Sequence, residues 1–127
     1  MGLNSKNFSF SVSHSKYSFA CLVMPKHINA AIDIEPLSRK LPDKFNKKIN
    51  HLQEGIKLDS MKYLSLIETF IKLKATSWNK IKPPFLIGNP LDYNKSYITR
   101  INDRLIYSKF YNFNDMSVCI SSEGFEI

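Results

Sequence analysis

The chain predicts an α+β domain, a mainly antiparallel sheet with two helices packed on it. Three observations carry that expectation. Near the N-terminus apolar and polar residues alternate with a period of two, the pattern of a half-buried strand. Two central stretches repeat apolar residues at helical spacing. The last third returns to short strand-like runs broken by Asn and Asp. The order is three strands, two helices, then two or three strands.

The first strand is read from Phe8, Phe10 and Val12 alternating with Ser9, Ser11 and Ser13, and Ser13-His14-Ser15 closes it at a turn. Residues 17–24 form a second apolar run, rich in aromatic and branched side chains. Residues 28–35 form a third, with Ile28, Ala30, Ile32 and Ile34 on one face, and Pro36 ends it because proline cannot donate to a sheet ladder. Residues 42–55 read as a weakly amphipathic helix ending near Gly55. A stronger helix starts at Asp59 or Ser60, where Asp59 can cap it, and runs into the mid-70s with Leu64, Ile67 and Ile71 on one face. Lys82-Pro83-Pro84 marks an irregular passage. Strand-like segments follow near 96–101, 104–111 and 116–120.

At 127 residues the whole chain, 1–127, reads as a single domain. That length buries enough surface to need no disulfide or metal staple. No apolar run approaches the roughly 18 residues of a membrane span. The first residues lack a signal-peptide pattern, and Lys6 breaks the myristoylation pattern, so a cytoplasmic protein without a membrane partner is expected. Cys21 and Cys119 lie in apolar stretches without zinc-site spacing and read as small buried hydrophobes.

The formal charge is +7, and residues 36–82 hold eleven Lys/Arg against four Asp/Glu, which is the whole excess. Such a segment favours polyanionic partners: cofactor phosphates, nucleic acid or an acidic protein. Nucleic acid is disfavoured, because the chain has only three arginines and no recognised nucleic-acid motif.

Three small groups of residues could carry chemistry. Asp33 and Glu35, two apart on a strand, project from the same side, opposite Ile32 and Ile34. Paired carboxylates of this kind suit Mg²⁺ together with a substrate's phosphates, or else form an exposed acidic strand edge. Glu68 and Lys72 share a helix face, where the plain alternative is a surface ion pair contributing about 0.3–0.5 kcal/mol. Ser13-His14-Ser15 offers donors for a phosphate oxygen, or ordinary turn chemistry.

Taken together, SVSHSKYSFACLVMPKHINAAIDIE followed by a basic segment and YLSLIETFIK resembles the 4′-phosphopantetheinyl transferase superfamily. The likeness is to the C-terminal half of the long, surfactin-synthetase-activating type. That pattern has a Ser-His-Ser turn, a Gly-Ile-Asp-Ile-Glu strand, a Trp-(Ser/Thr)-x-Lys-Glu-x-x-x-Lys helix and a closing Ala-Val-Cys strand, which Ser117-Val118-Cys119 resembles. It spans about Phe8 to Ser121. The resemblance implies transfer of the phosphopantetheine arm of coenzyme A to a serine of an acyl or peptidyl carrier protein. Asp33, Glu35 and Glu68 would hold Mg²⁺, Lys72 would meet the phosphates, Ser13 and His14 would help seat coenzyme A, and Glu68 would serve as base.

The departures are specific. Leu64 stands where the family has tryptophan, Ile67 where it has the lysine before the glutamate, and Ala31 where it has glycine. The chain also supplies only one of the long type's two halves, while its motif order is not that of the trimeric short type. An active protein would need a second chain to complete the cleft, most simply as a homo-oligomer, dimer or trimer. The alternative is a member that keeps the fold without turnover and acts as a binding or partner subunit.

Overall fold

The computed structural model describes residues 7–52, 60–77, 80 and 96–124. Its elements are β1 (Phe8–His14), β2 (Phe19–Pro25), β3 (Ala30–Pro36), α1 (Asp43–Leu52), α2 (Ser60–Lys72), β4 (Tyr97–Ile101), β5 (Arg104–Phe113) and β6 (Met116–Glu123). The α+β class is as expected, and every strand pair is antiparallel. The single sheet expected is instead two: a β1-β2 hairpin and a four-stranded sheet in the order β3-β6-β5-β4. The end of the first helix near Gly55, the Asp59 cap and the Lys82-Pro83-Pro84 passage lie outside the described residues.

Local chemistry explains the tight connections. Asn102 and Asp103 both adopt left-handed backbone, φ 46° and 65°, which is the two-residue turn whose twist matches the strands it joins. Asn114, at φ 52°, begins another two-residue link, between β5 and β6, in which only the first residue is left-handed. At its C-terminus α2 closes with Lys74 left-handed, while Lys74 N–H and Ala75 N–H bond back to Ile71 and Phe70 carbonyls. That pair of bonds satisfies carbonyls the helix would otherwise leave open. Arg104 adds to it by donating to the Leu73 and Lys74 carbonyls while paired with Glu123.

The core lies between α2 and the front face of the four-stranded sheet. Tyr63, Leu66, Ile67 and Phe70 are fully buried there against Ala31, Ile106 and Cys119. Burial of side chains of this size contributes about 1.5–3 kcal/mol each. Small hydroxyl residues on the strands let the helix approach: Thr69, Ser121 and Ser108 form a buried chain of hydroxyl hydrogen bonds, each 2.7 Å. The other helix, α1, packs chiefly on α2, with Phe45 against the core.

The hairpin departs most from expectation. The alternation in β1 does give a half-buried strand, but the buried half is the serines: Ser11 and Ser13 are buried while Phe10 and Val12 are exposed. The reason is the free edge of β3, where the Ile32 and Ile34 amides have no strand partner. Ser11 Oγ accepts from Ile32 N–H at 3.0 Å and Ser13 Oγ from Ile34 N–H at 3.0 Å. Turning the serines outward would leave two buried donors unpaired. Cys21, expected to be buried, is therefore exposed with the aromatic face, whereas Cys119 is buried as expected.

Ser11→Ala should cost roughly 1–3 kcal/mol, because it orphans a buried amide. Half-buried Ser9 lies outside this pair of bonds, and Ser9→Ala should cost well under that. Urea unfolding of the two variants beside the parent checks the difference, and equal effects would remove the special role given to Ser11.

Candidate functional site

β3 carries the site because both its faces are covered. Asp33 and Glu35, together with Ala31, project toward α2, while Ile32 and Ile34 are buried on the opposite side. The two carboxylates are 6% and 9% exposed, so they are not an exposed acidic edge. On α2, Ser65, Glu68 and Lys72 follow at intervals of three and four, and so share the face turned to Asp33.

Asp33 is the centre of the arrangement. Ser13 Oγ lies 3.4 Å from Asp33 Oδ1 and Lys72 Nζ 4.0 Å from the same oxygen. The other oxygen, Oδ2, is buried without a hydrogen-bond partner, and Ser65 Oγ sits beside the carboxyl without completing a bond of normal geometry. Burial pushes the Asp33 carboxyl up from 3.8 to about 6. Ser65 pulls it down, and Glu35 and Glu68 raise it while Lys72 lowers it. On β6, directly across from it, burial and then the Asp33 charge push the Cys119 thiol up to about 12.

The remaining expected residues are divided. Glu35 is brought to the same side but is held by Arg39 Nη1 at 2.6 Å. Glu68 is half-buried one helical turn before Lys72, and the two form no ion pair among the described residues. Lys72 points its ammonium at Val12 and Ile32 carbonyls, 2.9 and 2.7 Å away, and so joins β1 to β3 as well as facing Asp33. His14 is not brought in: as Ser13's neighbour on a strand it projects from the opposite face, beside Phe19, and is exposed.

For a divalent cation the donors fit in kind, since all three are carboxylates and Asp33 Oδ2 is unpartnered. Their spacing is wider than a closed cage: among the described residues no three carboxylate, imidazole or thiol side chains converge on one metal position. Arg39 and Lys72 supply the positive charge instead, one to each carboxylate of β3.

Arg39, Ser65 and Ser117 did not stand out in the sequence. Ser65 had a usable signal, its helical spacing from Glu68 and Lys72. Arg39 had none, because Pro36 breaks the regular geometry that would relate it to Glu35. Beyond Glu35 lies a cavity of about 470 Å³ walled by Leu37, Leu41 and Met61, with Lys40 and Lys62 beside them. Ser117 lines it, 2% exposed and with its hydroxyl unpartnered. Leu64 and Ile67, where α2 departs from the pattern it resembles, are core residues: Leu64 is buried and Ile67 fully so. A lysine at 67 would have to bury its charge here, at considerable cost.

No protein-family model and no curated protein matches the chain. Among the described residues no helix is long and apolar enough to cross a membrane.

The Asp33 shift has a direction that stability must follow. Its native pKa lies above the unfolded value, so the native chain holds the extra proton between pH 4 and about 6. Stability from this group is therefore full below pH 4, falls as pH rises to about 6 and is constant above. The size is about 3 kcal/mol at most. Asp33→Asn should be more stable than the parent at pH 7.5 in chelator, and should lack this slope. Urea unfolding from pH 4 to 8 checks it, and parallel curves would mean that Asp33 is not the titrating group.

Proposed function

We propose that the chain is a 4′-phosphopantetheinyl transferase-type protein that takes coenzyme A at the Asp33 site. In that reading it transfers the phosphopantetheine arm to a serine of an acyl or peptidyl carrier protein. The observation that carries the reading is Asp33 itself: a buried carboxylate with an orphaned oxygen, next to Ser13, Glu35, Glu68 and Lys72. These are residues of the three motifs whose order resembles that family.

Asp33, Glu35 and Glu68 would hold Mg²⁺, which when bound supplies neutralising charge for a pyrophosphate. The chain's own residues do the rest. Glu68, half-buried and without an ion pair among the described residues, would accept the proton of the carrier serine. Lys72 is about a third exposed and carries its charge at the mouth of the site. The Val12 and Ile32 carbonyls take two of its three donors, which holds β1 against β3 and leaves one for a phosphate. Exposed Lys40, Lys44 and Lys47 would attract an acidic carrier protein, with a rate that falls as salt rises. A second copy of the chain, as dimer or trimer, would complete the cleft in a cytoplasmic setting.

A second reading is favoured by three specific observations. Glu35 is neutralised by Arg39, Lys72 is engaged by two carbonyls, and Ile67 has replaced a charge with core. A chain so closed would keep the fold without turnover and serve as a binding or partner subunit.

Calorimetric titration of coenzyme A, with Mg²⁺ and then with chelator, separates the two. The transferase reading expects micromolar binding that requires metal, is lost in Asp33→Ala and Glu68→Ala, and survives Lys16→Ala. Binding indifferent to Asp33→Ala overturns the site. A folded parent that does not bind coenzyme A favours the subunit reading.

A further inference from the structure

The hydroxyl of Ser117 has no partner within the fold. It is 2% exposed and unpaired, and a buried hydroxyl left so carries its full desolvation cost. Strand register sets Ser117 between Glu35 of β3 and Asn112 of β5. It projects toward α2, as Cys119 does two residues further on. There it forms the buried end of the cavity of about 470 Å³ beyond Glu35, a size within the roughly 300–1,000 Å³ of small-molecule sites.

The segment between β3 and α1 that walls this cavity is pinned along its length. Leu37 N–H donates to the Asp115 carbonyl at 2.8 Å and Arg39 N–H to the Pro36 carbonyl at 3.1 Å. Asn46 Nδ2 donates to the Leu41 carbonyl at 3.2 Å. A wall so held loses little of a ligand's binding to its own ordering. Exposure rises from the Ser117 end outward: Met61 and Leu41 are half-buried and Leu37 is 52% exposed. The way out is therefore apolar.

Charge selects the head group. Arg39, Lys40 and Lys62 line the cavity, and Lys62 Nζ stands 5.7 Å from the centre of the Phe110 ring, on the sheet side. Asp43, also in the lining, and Glu35, paired with Arg39, oppose them. The surplus is one positive charge. A carboxylate matches it, whereas a phosphate dianion exceeds it. Glu35 occupies Arg39 Nη1, and the guanidinium keeps further donors for a second acceptor. One carboxylate can accept from guanidinium, ammonium and hydroxyl together.

We propose that this cavity binds a monocarboxylate with a short aliphatic chain. Its head group takes the Ser117 hydroxyl, Arg39 and Lys62, and its chain runs out along Met61, Leu41 and Leu37. The proposal does not rest on the transferase reading, and its test contains neither coenzyme A nor metal.

Calorimetric titration of sodium octanoate into the full chain checks it. The expected result is one site per chain with a Kd of about 100 µM. Hexanoate, two methylenes shorter, should bind about tenfold more weakly, because each buried methylene is about a fourfold factor. Octylamine, the same chain with a cationic head, should not bind, and octyl phosphate at pH 8 should bind no better than octanoate. Ser117→Ala should weaken octanoate about tenfold, the loss of one hydrogen bond to a charged group. Lys40→Met, at an exposed position where the fold is not at stake, should weaken it severalfold. Lys16→Met, exposed at the hairpin turn, should bind as the parent does. Circular dichroism of each variant separates loss of binding from loss of fold. A folded parent that does not bind octanoate overturns the proposal, and so does tighter binding of octyl phosphate. Binding that octylamine equals, or that survives both Ser117→Ala and Lys40→Met, overturns it too, because the aliphatic chain then lies on apolar surface elsewhere.

Discussion

The free edge of β3 is the constraint on which the rest of this structure depends. One side of β3 is paired with β6, and the other presents backbone groups that another strand's ladder does not reach. Three side chains fill that gap: Ser11 and Ser13 accept from the Ile32 and Ile34 amides, and Lys72 donates to the Ile32 carbonyl. A buried backbone group without a partner costs as much as a lost hydrogen bond, so this edge dictates the orientation of whatever covers it. The hairpin must present serines inward. Its aromatic residues must then face out.

The same constraint builds the candidate site. With the hairpin drawn against β3, Asp33 loses water from one side and α2 removes it from the other. That enclosure raises its pKa and leaves Oδ2 unpartnered. Lys72 reaches the site because it is also tying β1 to β3, so one ammonium serves both the tertiary contact and the electrostatics of Asp33. Glu35, one pleat away, takes a different solution and pairs with Arg39. The two carboxylates of β3 are thus alike in sequence and unlike in environment: one desolvated beside a distant cation, the other in a short ion pair.

The order of elements along the chain, the Asn/Asp turns and the α2 core face were legible in the sequence, because each rests on local periodicity or local backbone preference. Ile67 and Ile71 on α2, the break at Pro36 and the left-handed Asn102-Asp103 link are of this kind. So were the pairs Asp33 with Glu35 and Glu68 with Lys72, since residues two apart on a strand and four apart on a helix must share a face; that the two pairs belong together was read only from the resemblance. What was not legible is how each is partnered. Arg39 reaches Glu35 across a proline-broken turn, and Lys72 chooses carbonyls over Glu68, which depends on where β1 lies.

The sequence by itself determined the class of fold, the sites of the turns and which side chains share a strand or helix face, because these follow from short-range sterics and from periods of two and 3.6 residues. Only the tertiary structure decided which half of an alternating strand is buried, whether Cys21 faces solvent and whether a lysine is free for a ligand. Hydrophobicity alone would have turned Phe10 and Val12 inward. The unpaired edge of β3 needed acceptors more than the core needed apolar area, and an unpaired edge exists only once strands far apart in the chain have met.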